Sequence, residues 1–170
     1  FKKGRRTGKV DVINVIELEL QYSNTDSFLK RTYIFLRYSF QGIKIVLHEK
    51  YDVIYATSTP LTAGIPGIFA KIFRKKPFIF EVRDLWPELP KAMGVITNPL
   101  VLKLMDWLET ITYHSATACI GLSPGILRGI KKKVPDKHLS MIPNGCDLNL
   151  VRNDSFYKRK NKFVAVFTGV

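Results

Sequence analysis

Four short apolar runs, residues 52–56 (DVIYA), 78–82 (FIFEV), 117–122 (TACIGL) and 138–142 (HLSMI), recur along this chain with helix-length stretches between them. Three of the intervening stretches open on a polar residue followed by proline: Thr59-Pro60, Asn98-Pro99 and Ser123-Pro124. That pairing starts a helix, because the side-chain oxygen caps unpaired backbone N–H groups while proline fills a position whose own N–H is not needed. Strands that alternate with helices at this spacing specify an α/β fold with a doubly wound, mostly parallel, Rossmann-like sheet.

The predicted elements are as follows. Residues 10–20 form a first strand after a loose basic arm, and residues 24–27 (NTDS) cap a long, heavily buried helix that runs to about Lys50. A second helix spans residues 60–73, where Gly64 and Gly67 allow another backbone to come close. A third runs from Asn98 to about His114 with Leu100, Leu104, Leu108 and Ile111 on one stripe. A fourth begins at Ser123, and the turn Pro143-Asn144-Gly145 ends the strand of residues 138–142.

The chain of 170 residues carries 27 Lys and Arg against 14 Asp and Glu, a formal charge of +13 with clusters at residues 2–9, 128–137 and 152–162. Such a field favours polyanions: nucleic acid, anionic lipid or a phosphorylated substrate. No run reaches the roughly 18 unbroken apolar residues of a spanning helix. Two cysteines, Cys119 and Cys146, are too few for a disulfide framework and fit a cytoplasmic setting. His48, His114 and His138 lack ligand spacing, so neither a metal nor a cofactor is expected.

The chemistry concentrates in residues 81–88 (EVRDLWPE), at the carboxyl end of a strand, where ligands of open α/β sheets gather. Period-two alternation puts Phe78, Phe80 and Val82 on one face and Ile79, Glu81 and Arg83 on the other. Asp84, one step past the strand, suits orientation of a sugar hydroxyl or acceptance of its proton. Trp86 beside Glu88 suits a sugar ring, stacked on the indole and hydrogen-bonded at its rim. Ser58 and Thr59 lie at another strand-to-helix turn, suited to phosphate.

Together, YATSTP (residues 55–60), EVRDLWPE, Glu109 with Tyr113 one turn on, SPG at Ser123 and IPNGCD (residues 142–147) resemble the N-terminal, acceptor-side domain of a GT-B-fold, family-four retaining glycosyltransferase. The resemblance lies near the branch that assembles bacterial capsule and O-antigen polysaccharide. It implies a Rossmann-like acceptor domain over residues 1–150, without its first strand and glycine-rich loop, and a linker with the first strand of a donor-binding domain over residues 151–170. It also implies a nucleotide-sugar donor, a lipid-linked sugar acceptor, no obligatory metal, and a place at the inner face of the bacterial plasma membrane.

By the same resemblance, Asp84 and Arg83 are the catalytic candidates, although many relatives carry histidine where this chain has Arg83. Asn144, Gly145 and Asp147 border the cleft, and Glu109 and Tyr113 are structural. Basic segments at residues 126–133 and 71–76 are candidate membrane contacts. A nucleotide-sugar epimerase of the same fold and a basic nucleic-acid-binding module are the competing readings, the latter without any recognised motif.

Overall fold

The computed structural model describes residues 4–23 and 25–145. Six strands and five helices follow in the order β1 (Arg5–Val10), β2 (Ile13–Leu18), α1 (Phe28–His48), β3 (Ile54–Thr57), α2 (Gly64–Arg74), β4 (Phe78–Val82), α3 (Glu88–Ala92), α4 (Pro99–Ser115), β5 (Ala118–Gly121), α5 (Pro124–Lys133) and β6 (Leu139–Met141), with a turn of 3₁₀ helix at Leu61–Ala63. Strands β3-β4-β5-β6 form one parallel sheet in that order, and β1-β2 form a separate antiparallel pair. The α/β class with a parallel, Rossmann-like sheet is therefore as the alternation of runs and caps predicts.

The core forms where α2, α4 and α5 cover one face of the sheet. Phe78, Phe80 and Val82 alternate inward from β4 and are wholly buried, each worth about 1.5–3 kcal/mol in removed apolar surface. Gly67 lies so close to the Phe78 ring that an added Cβ would sit 2.2 Å from it. Gly64 plays the same part against Thr112 and Phe80. These glycines weaken α2 as a helix yet let it settle on the sheet. Phe80 in turn packs on Tyr113 of α4, ring centroids 6.1 Å apart.

Several expectations need correction. The basic arm is not loose: residues 5–10 are β1, joined to β2 through Asp11 at φ 51° and by the Arg6–Glu17 ion pair. Residues 59–60 do not cap a helix by side chain; Pro60 precedes the 3₁₀ turn, and α2 begins only at Gly64. On α4 the buried positions are Glu109, Thr112 and Tyr113, while Leu100 and Leu104 are exposed, because only the second half of the helix lies over the sheet and its inner face carries a polar network.

Helix α1 departs most. Ser27 caps it as expected, but only Ile34 and Ser39 are buried. It touches α2 and the 3₁₀ turn before it along one side: Ser39 Oγ donates to Thr62 O at 2.7 Å, Gly42 abuts Pro66, and Arg74 donates to Leu47 O. The other side carries Leu29, Tyr33, Leu36 and Phe40, each more than half exposed. Those positions recur every three to four residues and so form one outward stripe. At the open edge of β3 a groove of about 790 Å³ separates the strand from β2 and α1.

Candidate functional site

All four strands of the parallel sheet end at one crevice of about 460 Å³. Thr59 follows β3, Arg83 and Asp84 follow β4, Leu122 follows β5 and Asn144 follows β6, and these five residues line it. This is the edge at which open α/β sheets hold ligands. Arg83 supplies a permanent cation with several N–H donors, Asp84 a carboxylate, and Thr59 and Asn144 neutral polar groups. Such a set can hold a polyhydroxylated or phosphate-bearing molecule by hydrogen bonds and place a carboxylate on one of its hydroxyls.

Two buried side chains fix the segment that carries the charged pair. Ser58, 1% exposed, accepts the Arg83 backbone N–H on its hydroxyl at 2.9 Å. Ser58 thus positions Arg83 rather than meeting a phosphate, because burial and that hydrogen bond commit its oxygen. At the other end, Glu109 Oε1 accepts the Trp86 backbone N–H at 2.8 Å and the Tyr113 hydroxyl at 2.6 Å. Glu109 also pairs with Lys133, which reaches Asp106 at 2.6 Å. Burial alone would lower the Lys133 pKa, but its hydrogen bonds to Asp106 and Glu109 prevail and raise it. Burial, with Glu109 beside it, pushes the Tyr113 phenol well up. The structural reading of Glu109 and Tyr113 is thereby given a mechanism: they hold the Trp86 end of the loop.

The remaining sequence candidates fall elsewhere. Trp86 packs against the core and walls a different cavity, so its indole is turned away from the crevice. Glu88 opens α3 as an exposed residue outside the crevice walls. Gly145 follows Asn144 on the surface with open space where a Cβ would lie, and Asp147 lies outside the described residues. Glu81 does not pair with Arg83; it faces Tyr55, whose pKa is raised by burial first and by Glu81 second. Cys119 is buried in the core with its thiol pushed up to about 11, so it lacks the exposure and thiolate character of a nucleophile. Leu122 was missed, and its only signal was its place as the last residue of the apolar run 117–122.

A parallel α/β sheet with a polar crevice across its strand ends defines a protein that binds and processes a small polar substrate. Residues 3–145 match the glycosyl transferase 4-like domain, and the chain belongs to that family. It is accordingly a glycosyltransferase domain, and its substrates are a sugar donor and an acceptor. No curated protein matches it.

Proposed function

We propose that this domain is the acceptor-side half of a retaining glycosyltransferase that moves a sugar from a nucleotide-sugar to a lipid-linked saccharide in bacterial cell-surface polysaccharide synthesis. Asp84 orients the acceptor hydroxyl that attacks the sugar, and Arg83 holds negative charge on the transferred or leaving group. Thr59 and Asn144 hydrogen-bond the saccharide rim, and the nucleotide is held by a second lobe that closes over the crevice. The observation that carries this reading is the convergence of Arg83, Asp84, Thr59 and Asn144 on one crevice at four strand ends.

The inner membrane face is part of the proposal, and α1 supports it. The stripe of Leu29, Tyr33, Leu36 and Phe40 is bordered by Lys30, Arg37 and Lys44, spaced by sevens. No described helix is long and apolar enough to cross a membrane. An exposed apolar stripe flanked by cations suits a helix lying in the interface of an anionic bilayer. A second copy of the chain suits it less, since two such basic rows would oppose each other.

The test is transfer by the complete enzyme containing this domain, with nucleotide-sugar and lipid-linked acceptor, and the product's anomeric configuration read by NMR. Asp84→Asn, with unchanged thermal unfolding, is expected to lower the rate by about 10²–10⁴-fold. Near-normal turnover removes Asp84 from the mechanism, and an inverted product removes the retaining assignment.

A further inference from the structure

A pocket of about 460 Å³ lies between α1 and the β1–β2 hairpin and shares no lining residue with the strand-end crevice. Its size is that of small-ligand sites, which span about 300–1,000 Å³. Arg37, Gln41, Lys44 and His48 line it from α1, and Arg5 lines it from β1. Recurring every three to four residues, the α1 set shares one face of the helix, so its polar groups reach the pocket as a row.

The charges of this pocket do not balance. Three cations, Arg5, Arg37 and Lys44, line it with one carboxylate, Glu49, and that carboxylate already accepts from Arg5 Nη2 at 3.0 Å. Among the described residues the Arg37 guanidinium and the Gln41 amide have no hydrogen-bond or ion-pair partner. The Lys44 ammonium rests over the Phe40 ring, 4.7 Å from its centroid, and His48 Nδ1 donates to Lys44 O at 2.7 Å. Arg37 and Lys44 are both exposed, so their donors are open to a ligand. Cations gathered in one concavity repel each other, and a bound anion relieves that repulsion. The excess of two positive charges selects the anion: a phosphomonoester carries about −1.5 to −2 at neutral pH on three acceptor oxygens, whereas a phosphodiester carries a single charge. The planar Arg37 fork suits two of those oxygens, and Lys44 supplies a point charge beside it.

The neighbouring surface points to the carrier of that phosphate. Phe40, more than half exposed, belongs both to the pocket wall and to the outward apolar stripe of α1, and Leu18 and Ile45 continue the apolar lining. A helix lying in a bilayer interface on that stripe holds its flanking cations at headgroup depth. We propose that the pocket is a binding site for a lipid headgroup of the phosphomonoester class, such as phosphatidate, whose oxygens accept from Arg37, Gln41 and Lys44. The proposal rests on the membrane seat of α1 given above and adds to it a headgroup preference, which a diffuse basic surface lacks because its attraction follows surface charge alone. Soluble phosphomonoesters share the dianion, and the apolar rim at Phe40 favours the lipid.

The test is co-sedimentation of the 170-residue chain with phosphatidylcholine vesicles that carry either phosphatidate or phosphatidylglycerol, matched in ζ-potential. Matching equalises the diffuse attraction, so a difference reports the pocket. Binding about tenfold tighter to phosphatidate is expected, the worth of one hydrogen bond to a charged group. Arg37→Lys keeps the charge and loses the fork, so it should erase most of that preference through a loss on phosphatidate alone. Lys30→Gln removes a charge from the same helix outside the pocket and should weaken binding to both vesicles equally. Both side chains are exposed, and circular dichroism checks that the variants fold. Glycerol 3-phosphate in excess over the lipid should leave binding to phosphatidate vesicles unchanged.

Equal binding to the two matched vesicles, or a preference that survives Arg37→Lys, overturns the proposal and leaves the membrane seat of α1 standing. A preference lost as fully with Lys30→Gln overturns it too, because the effect is then one of helix charge. Displacement by glycerol 3-phosphate overturns the lipid assignment in favour of a soluble phosphomonoester. Binding to neither vesicle ends both this inference and the membrane reading.

Discussion

Replacing Glu109 is expected to cost more stability than any other single polar change in the described domain. Its carboxylate is 1% exposed and takes a backbone N–H from Trp86, a hydroxyl from Tyr113 and the ammonium of Lys133. Glu109→Ala strands the Trp86 and Tyr113 donors and leaves Lys133 with Asp106 alone. Removing one partner of a buried pair costs about 3–5 kcal/mol; the Lys133 side chain, 21% exposed, retains Asp106, which places the expectation at about 3 kcal/mol. For a domain whose total stability is roughly 5–15 kcal/mol, that is a large share. Glu109→Gln keeps an acceptor oxygen for Trp86 and Tyr113 and loses only the charge, so about 1–2 kcal/mol is expected. Urea unfolding followed by circular dichroism measures both, and a cycle with Lys133→Met isolates the pair, with about 1–2 kcal/mol of coupling expected. Because the Lys133 pKa is raised on folding, its contribution is fully present below the ordinary 10.5 and is lost as pH climbs through the raised value. The coupling should therefore persist at pH 7–9 and fade in alkali. A loss below about 1 kcal/mol for Glu109→Ala would refute the claim that this residue anchors the loop.

Gly67→Ala places a Cβ 2.2 Å from the buried Phe78 ring; despite a helix-propensity gain of about 1 kcal/mol, a net loss of about 1–2 kcal/mol is expected in urea unfolding from overpacking, and Phe78→Leu should recover part of it. In a Cys146→Ser background, Cys119, buried with its thiol at about 11, should resist maleimide at pH 8 until the chain unfolds; rapid native-state labelling would show the β5 core to be open. Arg37→Gln with Lys44→Gln should weaken co-sedimentation with anionic vesicles about 30-fold, on roughly 1 kcal/mol per charge. Leu36→Ser with Phe40→Ser should weaken binding to neutral vesicles as well, and unchanged partitioning of both pairs would remove α1 from the membrane.

The sheet was legible because its strands are continuous apolar runs and two of its helices, α4 and α5, begin with caps that act as the residue types require: Asn98 accepts from Leu100 and Val101, and Ser123 from Ile126. The crevice was legible for a related reason, since residues just past a strand in a parallel sheet must emerge at its ligand-binding edge. Thr59, Arg83, Asp84 and Asn144 all do. What failed were inferences about direction. Nothing in the local sequence says that Trp86 turns toward α1, because Glu109, twenty-three residues on, takes its backbone N–H. Nor does periodicity alone tell an apolar stripe that meets the core from one that meets solvent, and α1 and the first half of α4 were both misjudged on that account. The β1 strand was hidden by its charges, whose pairing with β2 through Arg6 and Glu17 depends on the turn at Asp11.

The division of labour around the crevice follows from burial. Ser58 and Glu109 are each 1% exposed and each take a backbone N–H of the loop, one at Arg83 and the other at Trp86. A side chain so placed cannot touch a substrate, but it removes the freedom of the residues it holds, which lowers the entropic cost of presenting them. The segment from Arg83 to Trp86 is thus pinned at both ends, with Asp84 directed to the polar crevice and Trp86 to the apolar cavity. A loop clamped in this way presents Arg83 and Asp84 to the crevice without moving, and loosening either clamp should lower transfer by the complete enzyme. Unchanged transfer by folded Ser58→Ala and Glu109→Gln variants of that enzyme would show that the two clamps do not position the site.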